Sequence, residues 1–169
     1  MKKILFIIFT FISSLTFGQQ SLSKVATLAS PKKSKILLQS EGQSYITSNF
    51  KLLPFPKVMS TTYQIGDILV SFQDFTLPYA VSLKSFEERA DDLAEPYYNR
   101  KIVWSGKIQK FKYQNFYLKT LSKGDESFIW FISESKELKG VEGYIAFKQK
   151  DTEKAKVILD DLLNSIQLK

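Results

Sequence analysis

The 169-residue chain carries 24 Lys and Arg against 17 Asp and Glu, a formal charge of +7, and has neither cysteine nor histidine. That composition excludes Ser-His-Asp and Cys-His nucleophiles, disulfides, and zinc sites built from His or Cys. Carboxylate acid/base work, a Ser–Lys dyad and an all-oxygen calcium site stay chemically open.

Lys2 and Lys3 precede a run from Ile4 to Ile12 that is apolar except for Thr10, and the run softens through Ser13 and Ser14 to Thr16-Phe17-Gly18. This basic, apolar, small-residue order is that of a secretory signal peptide, with cleavage expected between Gly18 and Gln19. The apolar stretch is shorter than the roughly 20 residues a membrane span needs, so no stable transmembrane anchor is expected. Gln19 stands where a lipoprotein signal would need cysteine. The expected product is exported, periplasmic or secreted. Two of the seven net charges belong to Lys2 and Lys3 and no acid lies in 1–18, which leaves +5 for the remainder. Such an excess favours anionic surfaces weakly and does not indicate nucleic-acid binding.

Residues 19–34, small, polar and basic around Pro31, are expected as a flexible arm with one short strand, ahead of a single domain over 35–169. "KILLQSEGQSYITSNFKLL" shows apolar runs either side of Glu41-Gly42 and predicts a hairpin. The prolines of "FKLLPFP" suit a strand edge or end. "KVMSTTYQIGDILVSFQD" predicts a hairpin turning at Ile65-Gly66-Asp67, with Ile68, Val70 and Phe72 on one side, and "YAVSLK" one more strand. Ser85 with Glu88 is a capping-box pattern, and Phe86, Ala90, Leu93, Ala94 and Tyr97 form one helical stripe that Pro96 closes. Strands follow, with turns at Gln114-Asn115, Lys123-Gly124 and Lys139-Gly140. A final helix begins at Asp151 and buries Ala155, Ile158, Leu159, Leu162 and Ile166. Strands grouped apart from helices predict an antiparallel α+β fold.

This order resembles the superfamily of PsbP-like photosystem subunits, DcrB-like exported lipoproteins and a nuclear Ran-binding protein. The likeness rests on "FKLLPFP", "YQIGDILVSFQD", the helix 85–95, "GKIQKFKYQNFYLKT", "SFIWFI", "GYIAFK" and "KAKVILDDLLNSIQL", and spans roughly residues 45–168. It implies an antiparallel β-sheet flanked by helices, an α/β/α sandwich. It also implies accessory or binding roles, since catalysis is not the superfamily's habit.

One charge block stands out. Between Glu95 and Asp125 lie Arg100, Lys101, Lys107, Lys110, Lys112, Lys119 and Lys123 and no acid. A two-residue turn at Gln114-Asn115 would pair Tyr113 with Phe116, Phe111 with Leu118 and Lys110 with Lys119. Phe111, Tyr113, Phe116 and Leu118 would then face the core. Lys110, Lys112, Tyr117 and Lys119, with Trp130 on the next strand, would form an anion- or partner-binding stripe. The competing reading is a solvated face whose lysines discourage edge-to-edge pairing. The aromatics Trp104, Tyr117, Phe128, Trp130 and Phe131 are expected chiefly as core, which favours neither nucleic acid nor sugar stacking. The acidic pairs Glu87-Glu88, Asp91-Asp92, Asp125-Glu126 and Asp160-Asp161 match neither an EF-hand nor, on a helix, converging catalytic carboxylates. No catalytic serine, Walker or dinucleotide motif occurs. The expectation is therefore a non-enzymatic domain without metal or cofactor that binds an envelope component or a protein. The alternatives are a small-ligand carrier with a pocket between sheet and helix, and a carboxylate-dependent hydrolase.

Overall fold

The computed structural model describes residues 19–22, 25–53, 57–77, 82–88 and 103–169. The expected signal segment, the prolines of "FKLLPFP", the first half of "YAVSLK", the helical stripe beyond Glu88 and the side chain of Trp104 lie outside the described residues; the second half of "YAVSLK", expected as strand, instead leads into a helix at Leu83. In chain order the elements are β1 (Gln19–Leu22), β2 (Ala26–Ala29), β3 (Lys35–Ile36), α1 (Gln39–Asn49), β4 (Thr61–Ile65), β5 (Ile68–Thr76) and α2 (Leu83–Glu88). There follow β6 (Val103–Lys110), β7 (Asn115–Lys123), β8 (Glu126–Ser133), β9 (Lys139–Lys148), a 3₁₀ turn (Gln149–Asp151), α3 (Thr152–Ser165) and β10 (Gln167–Leu168). A seven-stranded sheet runs β3-β4-β5-β9-β8-β7-β6, and a three-stranded one runs β1-β2-β10. Each of these strand pairings is antiparallel. The fold is a mostly antiparallel α+β fold with a few helices.

The β4–β5 hairpin forms where the sequence puts it. Gly66 takes a φ of 63° in the turn and Ile65 pairs with Ile68. Tyr63, Ile65, Ile68, Val70 and Phe72 then enter one core cluster with Phe116, Phe131, Leu28 of β2 and Leu159 and Leu163 of α3. A second cluster joins Leu69, Leu121, Phe128, Tyr144 and Ala146 to Ile46 of α1. Leu69 and Val70, Phe128 and Ile129, and Tyr144 and Ile145 divide between the two clusters, as alternation along a strand requires. Both faces of the large sheet thus carry core.

Three expectations need correction. The hairpin at Glu41-Gly42 is the helix α1. Glu41 Oε2 accepts the Leu38 N–H at 2.8 Å, closing the first turn. A Cβ on Gly42 would come within 2.9 Å of Val58, so glycine lets this helix lie close to the sheet. The turn placed at Lys139-Gly140 falls instead at Glu137 and Leu138, which take φ values of 51° and 64°. Gly140 sits inside β9, where a Cβ would meet the Phe75 ring at 2.4 Å and Ser133 Oγ at 2.6 Å. The glycine serves close packing there, not chain reversal. Residues 19–34 hold two strands: Ala26 and Leu28 are buried, Thr27 pairs with Gln167, and Ala29 N–H donates to Ser165 Oγ at 3.1 Å.

The two helices recognised in the sequence are present. α2 starts at Leu83, before Ser85, because Ser82 Oγ accepts the Lys84 N–H at 3.1 Å. α3 buries Ala155, Leu159, Leu162 and Leu163, with Ile166 at its end. No helix among the described residues is long and apolar enough to cross a membrane.

Candidate functional site

The β6–β7 register is not the one read from a two-residue turn. Lys110 pairs with Asn115, Ile108 with Tyr117 and Gly106 with Lys119. The connection is the four-residue turn Phe111–Gln114, closed by the Phe111 N–H to the Gln114 carbonyl at 2.9 Å. The pairing therefore slips by four residues. An even slip leaves the side chains that stay in the strands on their predicted faces but changes their neighbours. Lys110 and Lys119 are not opposed.

This geometry divides the five candidate residues. Tyr117 is buried, its ring stacked on Phe86 at 6.0 Å and set edgewise to Trp130 at 6.2 Å. It crosses Gly106, where any Cβ would fall 2.1 Å from the Tyr117 hydroxyl. Trp130 is partly buried and also packs 6.1 Å from Phe86. Lys119, opposite both Gly106 and Trp130, is half-buried, and burial pushes its ammonium pKa down. Helix α2 covers the middle of the expected stripe. Lys110 and Lys112 alone of the five are exposed.

Lys112 sits beside exposed Tyr113 at the tip of the turn, its Nζ 5.0 Å from the ring centroid. The turn itself is anchored. Phe111 is buried against Phe116 at 5.5 Å, and Gln114 is 7 % exposed. Lys112 N–H donates to Asn164 Oδ1 of α3 at 3.0 Å. Asn115 donates from its backbone and side chain to Glu134 at 3.0 and 3.1 Å. A cation and an aromatic ring are thus held out on a fixed base. Tyr113 was assigned to the core in the sequence; the exposure of a turn tip, which strand alternation cannot report, reverses that.

At another corner of the sheet, α1, the β4–β5 turn and the end of β9 enclose a cleft of about 420 Å³ lined by Tyr45, Phe50, Asp67, Asp125, Lys148 and Lys150. Two carboxylates in one cleft would suit hydrolysis only if one stayed protonated. Here Asp67 is bonded to Lys150 at 2.9 Å, and that hydrogen bond holds its carboxyl below the usual range. Asp125 pairs with Lys148 at 3.3 Å. Asp67 is thus not set up as a general acid. The cleft wall combines the Tyr45 and Phe50 rings with two ion pairs, Asp67–Lys150 and Asp125–Lys148. Glu126 lies behind it, 2 % exposed, although as half of the acidic pair Asp125-Glu126 it reads in sequence as a solubilising surface residue. Its Oε1 accepts from Lys51 N–H at 2.7 Å and Lys148 Nζ at 3.2 Å. Its Oε2 accepts from the Leu52 and Leu53 N–H groups at 2.7 and 3.1 Å. Among the described residues no group of three or more carboxylates is gathered to hold a metal ion.

No protein-family model matches the chain, and no curated protein matches it. Among solved structures, the solution structure of cyanobacterial PsbP (CyanoP) from Synechocystis sp. PCC 6803 is similar over 85 % of this chain and 86 % of that one, with a TM-score of 0.50 and 9 % sequence identity. At that identity the likeness is one of fold, and it agrees with the PsbP part of the resemblance read from sequence.

Proposed function

We propose that this chain is an exported, non-enzymatic accessory domain of helix–sheet–helix layering, which docks a protein or other envelope component through the tip of the β6–β7 turn. One observation carries the reading: Lys112 and Tyr113 stand exposed on a turn whose other two residues, Phe111 and Gln114, are buried. Tyrosine is among the residues that dominate binding energy at interfaces, a lysine beside it steers an acidic partner, and a base that is already ordered loses little conformational freedom on docking. Lys110 adds a second exposed cation at the end of β6. The complementary surface on the partner is acidic.

The test uses the immobilised protein and detergent-free envelope extract, with retained proteins identified at low and physiological salt. Lys110→Glu/Lys112→Glu/Tyr113→Ser loses a specific set of proteins that the wild type and an Asp67→Asn cleft variant both keep, and its thermal midpoint stays within a degree or two. Retention of the same set by the triple variant overturns the reading.

A further inference from the structure

The turn and strand that lead into α1 expose an apolar pair among lysines. Ile36 is 57 % and Leu38 71 % exposed, while Leu37 between them is 7 % exposed. Alternation in an extended segment puts Ile36 and Leu38 on one side, away from the core that holds Leu37. Leu38 is also the N-cap of α1, a position that strongly favours Ser, Thr, Asp or Asn. Its side chain accepts no hydrogen bond, so Glu41 must reach back to the Leu38 N–H. A leucine here is unfavourable for the helix and unfavourable for the surface. The surface term reverses if the side chain enters an apolar medium.

The charges around this pair name that medium. Lys32, Lys33 and Lys35 are exposed, and residues 31–40 contain no acid. Lys33 takes a φ of 57°, and Ser34 Oγ donates to the Pro31 carbonyl at 2.6 Å, so the lysines sit on a tight turn. The first acid beyond, Glu41, is committed to the helix cap. Apolar side chains ringed by lysines suit an interface of anionic headgroups over acyl chains, where each basic residue strengthens attachment about fivefold.

We propose that Lys33–Leu38 forms a lip that seats the protein on an anionic lipid bilayer, with Ile36 and Leu38 entering the headgroup layer and Lys33 and Lys35 held against the headgroups. This lip is separate from the turn tip and does not depend on it.

The experiment is flotation of the exported protein, freed of residues 1–18, with phosphatidylcholine vesicles containing roughly a third phosphatidylglycerol, beside vesicles of phosphatidylcholine alone, at about 20 mM and about 150 mM salt. The wild type partitions onto the anionic vesicles, more weakly at the higher salt. Lys33→Ala/Lys35→Ala lowers the partition coefficient about 25-fold, and Ile36→Ser/Leu38→Ser lowers it at least tenfold, with circular dichroism unchanged in both. Lys110→Glu/Lys112→Glu leaves it within about twofold. Leu38→Trp gains a blue-shifted emission component only with anionic vesicles. No partition by the wild type, or equal partition by both lip variants, overturns the proposal. So does a doubled mass in solution that Ile36→Ser/Leu38→Ser abolishes, since the lip then serves a second copy of the chain.

Discussion

Removing the Glu126 carboxylate should detach the chain that follows α1 from the sheet. Glu126 receives three backbone N–H groups from Lys51, Leu52 and Leu53 and one ammonium from Lys148. Of those donors only the Leu53 N–H bond is fully buried, and a buried donor left unsatisfied costs about 1–3 kcal/mol. The Lys51 and Leu52 bonds are partly buried, so water recovers part of their loss. Lys148 keeps Asp125 at 3.3 Å as a second partner and retains 25 % exposure, which spares it the full penalty for a stranded buried charge. The sum for Glu126→Ala is about 3–4 kcal/mol, a large share of the 5–15 kcal/mol typical of a domain. Glu126→Gln, with one acceptor oxygen left, should cost about half as much. The pH dependence follows from the same contacts. Burial raises the Glu126 pKa, but the three backbone N–H groups and Lys148 outweigh it and hold the carboxyl below its ordinary 4.5. A depressed carboxylate contributes stability above the unfolded value and loses it as pH falls through the folded one. The gap between wild type and Glu126→Gln should therefore be full at pH 7 and shrink as pH falls below about 4.5. Urea midpoints at a series of pH values measure it. A loss under about 1 kcal/mol for Glu126→Ala at pH 7, or a gap that does not close in acid, would refute this account.

Two further outcomes follow from burial. Leu159→Ala or Leu162→Ala should each cost about 2–5 kcal/mol by denaturant titration, whereas exposed Lys154→Ala should be nearly silent; equal small effects at all three would mean α3 is not docked. Asp74 behaves oppositely to Glu126: burial raises its carboxyl pKa, only partly countered by Lys169, and its Oδ1 meets no donor among the described residues. A raised folded value means stability is lost as pH climbs from the unfolded value through the folded one. Asp74→Asn should thus raise the thermal midpoint at pH 7 and leave it unchanged near pH 3, and a lower midpoint at pH 7 would count against the shift.

Where the sequence spoke clearly, a repeating apolar pattern ran the length of the element. α3 and the β4–β5 hairpin each place apolar residues at their own period, and both formed. α1 is different because its sequence, QSEGQSYITSN, buries only Gly42 and Ile46. Its helicity comes from a side-chain cap and a close glycine contact rather than from an apolar stripe. The β6–β7 strands were recognised, but their register depended on which residues turn: Asn115, expected in the turn, opens β7, and Phe111, expected in a strand, opens the turn. Faces survived because the slip was even. Tyr117 is buried as expected of the sheet aromatics, but what covers it was not legible, since Phe86 lies more than thirty positions away and nothing local in "KYQNFYLKT" reports a cover.

The small sheet has a kinetic meaning. β2 is bracketed by β10, Ala29 is fastened to Ser165, and Lys169 N–H donates to the Val25 carbonyl at 2.9 Å. None of those bonds can form until residues 165–169 have met residues 25–29, a closure spanning nearly the whole folded sequence. The entropy of so large a loop grows only logarithmically, yet pairings of such separation slow folding markedly. Ala26 and Leu28 therefore wait, apolar and uncovered, while the hairpins of the large sheet can already zip. During synthesis the segment that emerges early is among the last to find its place, so the window for wrong pairing opens at β2 and closes only when β10 arrives.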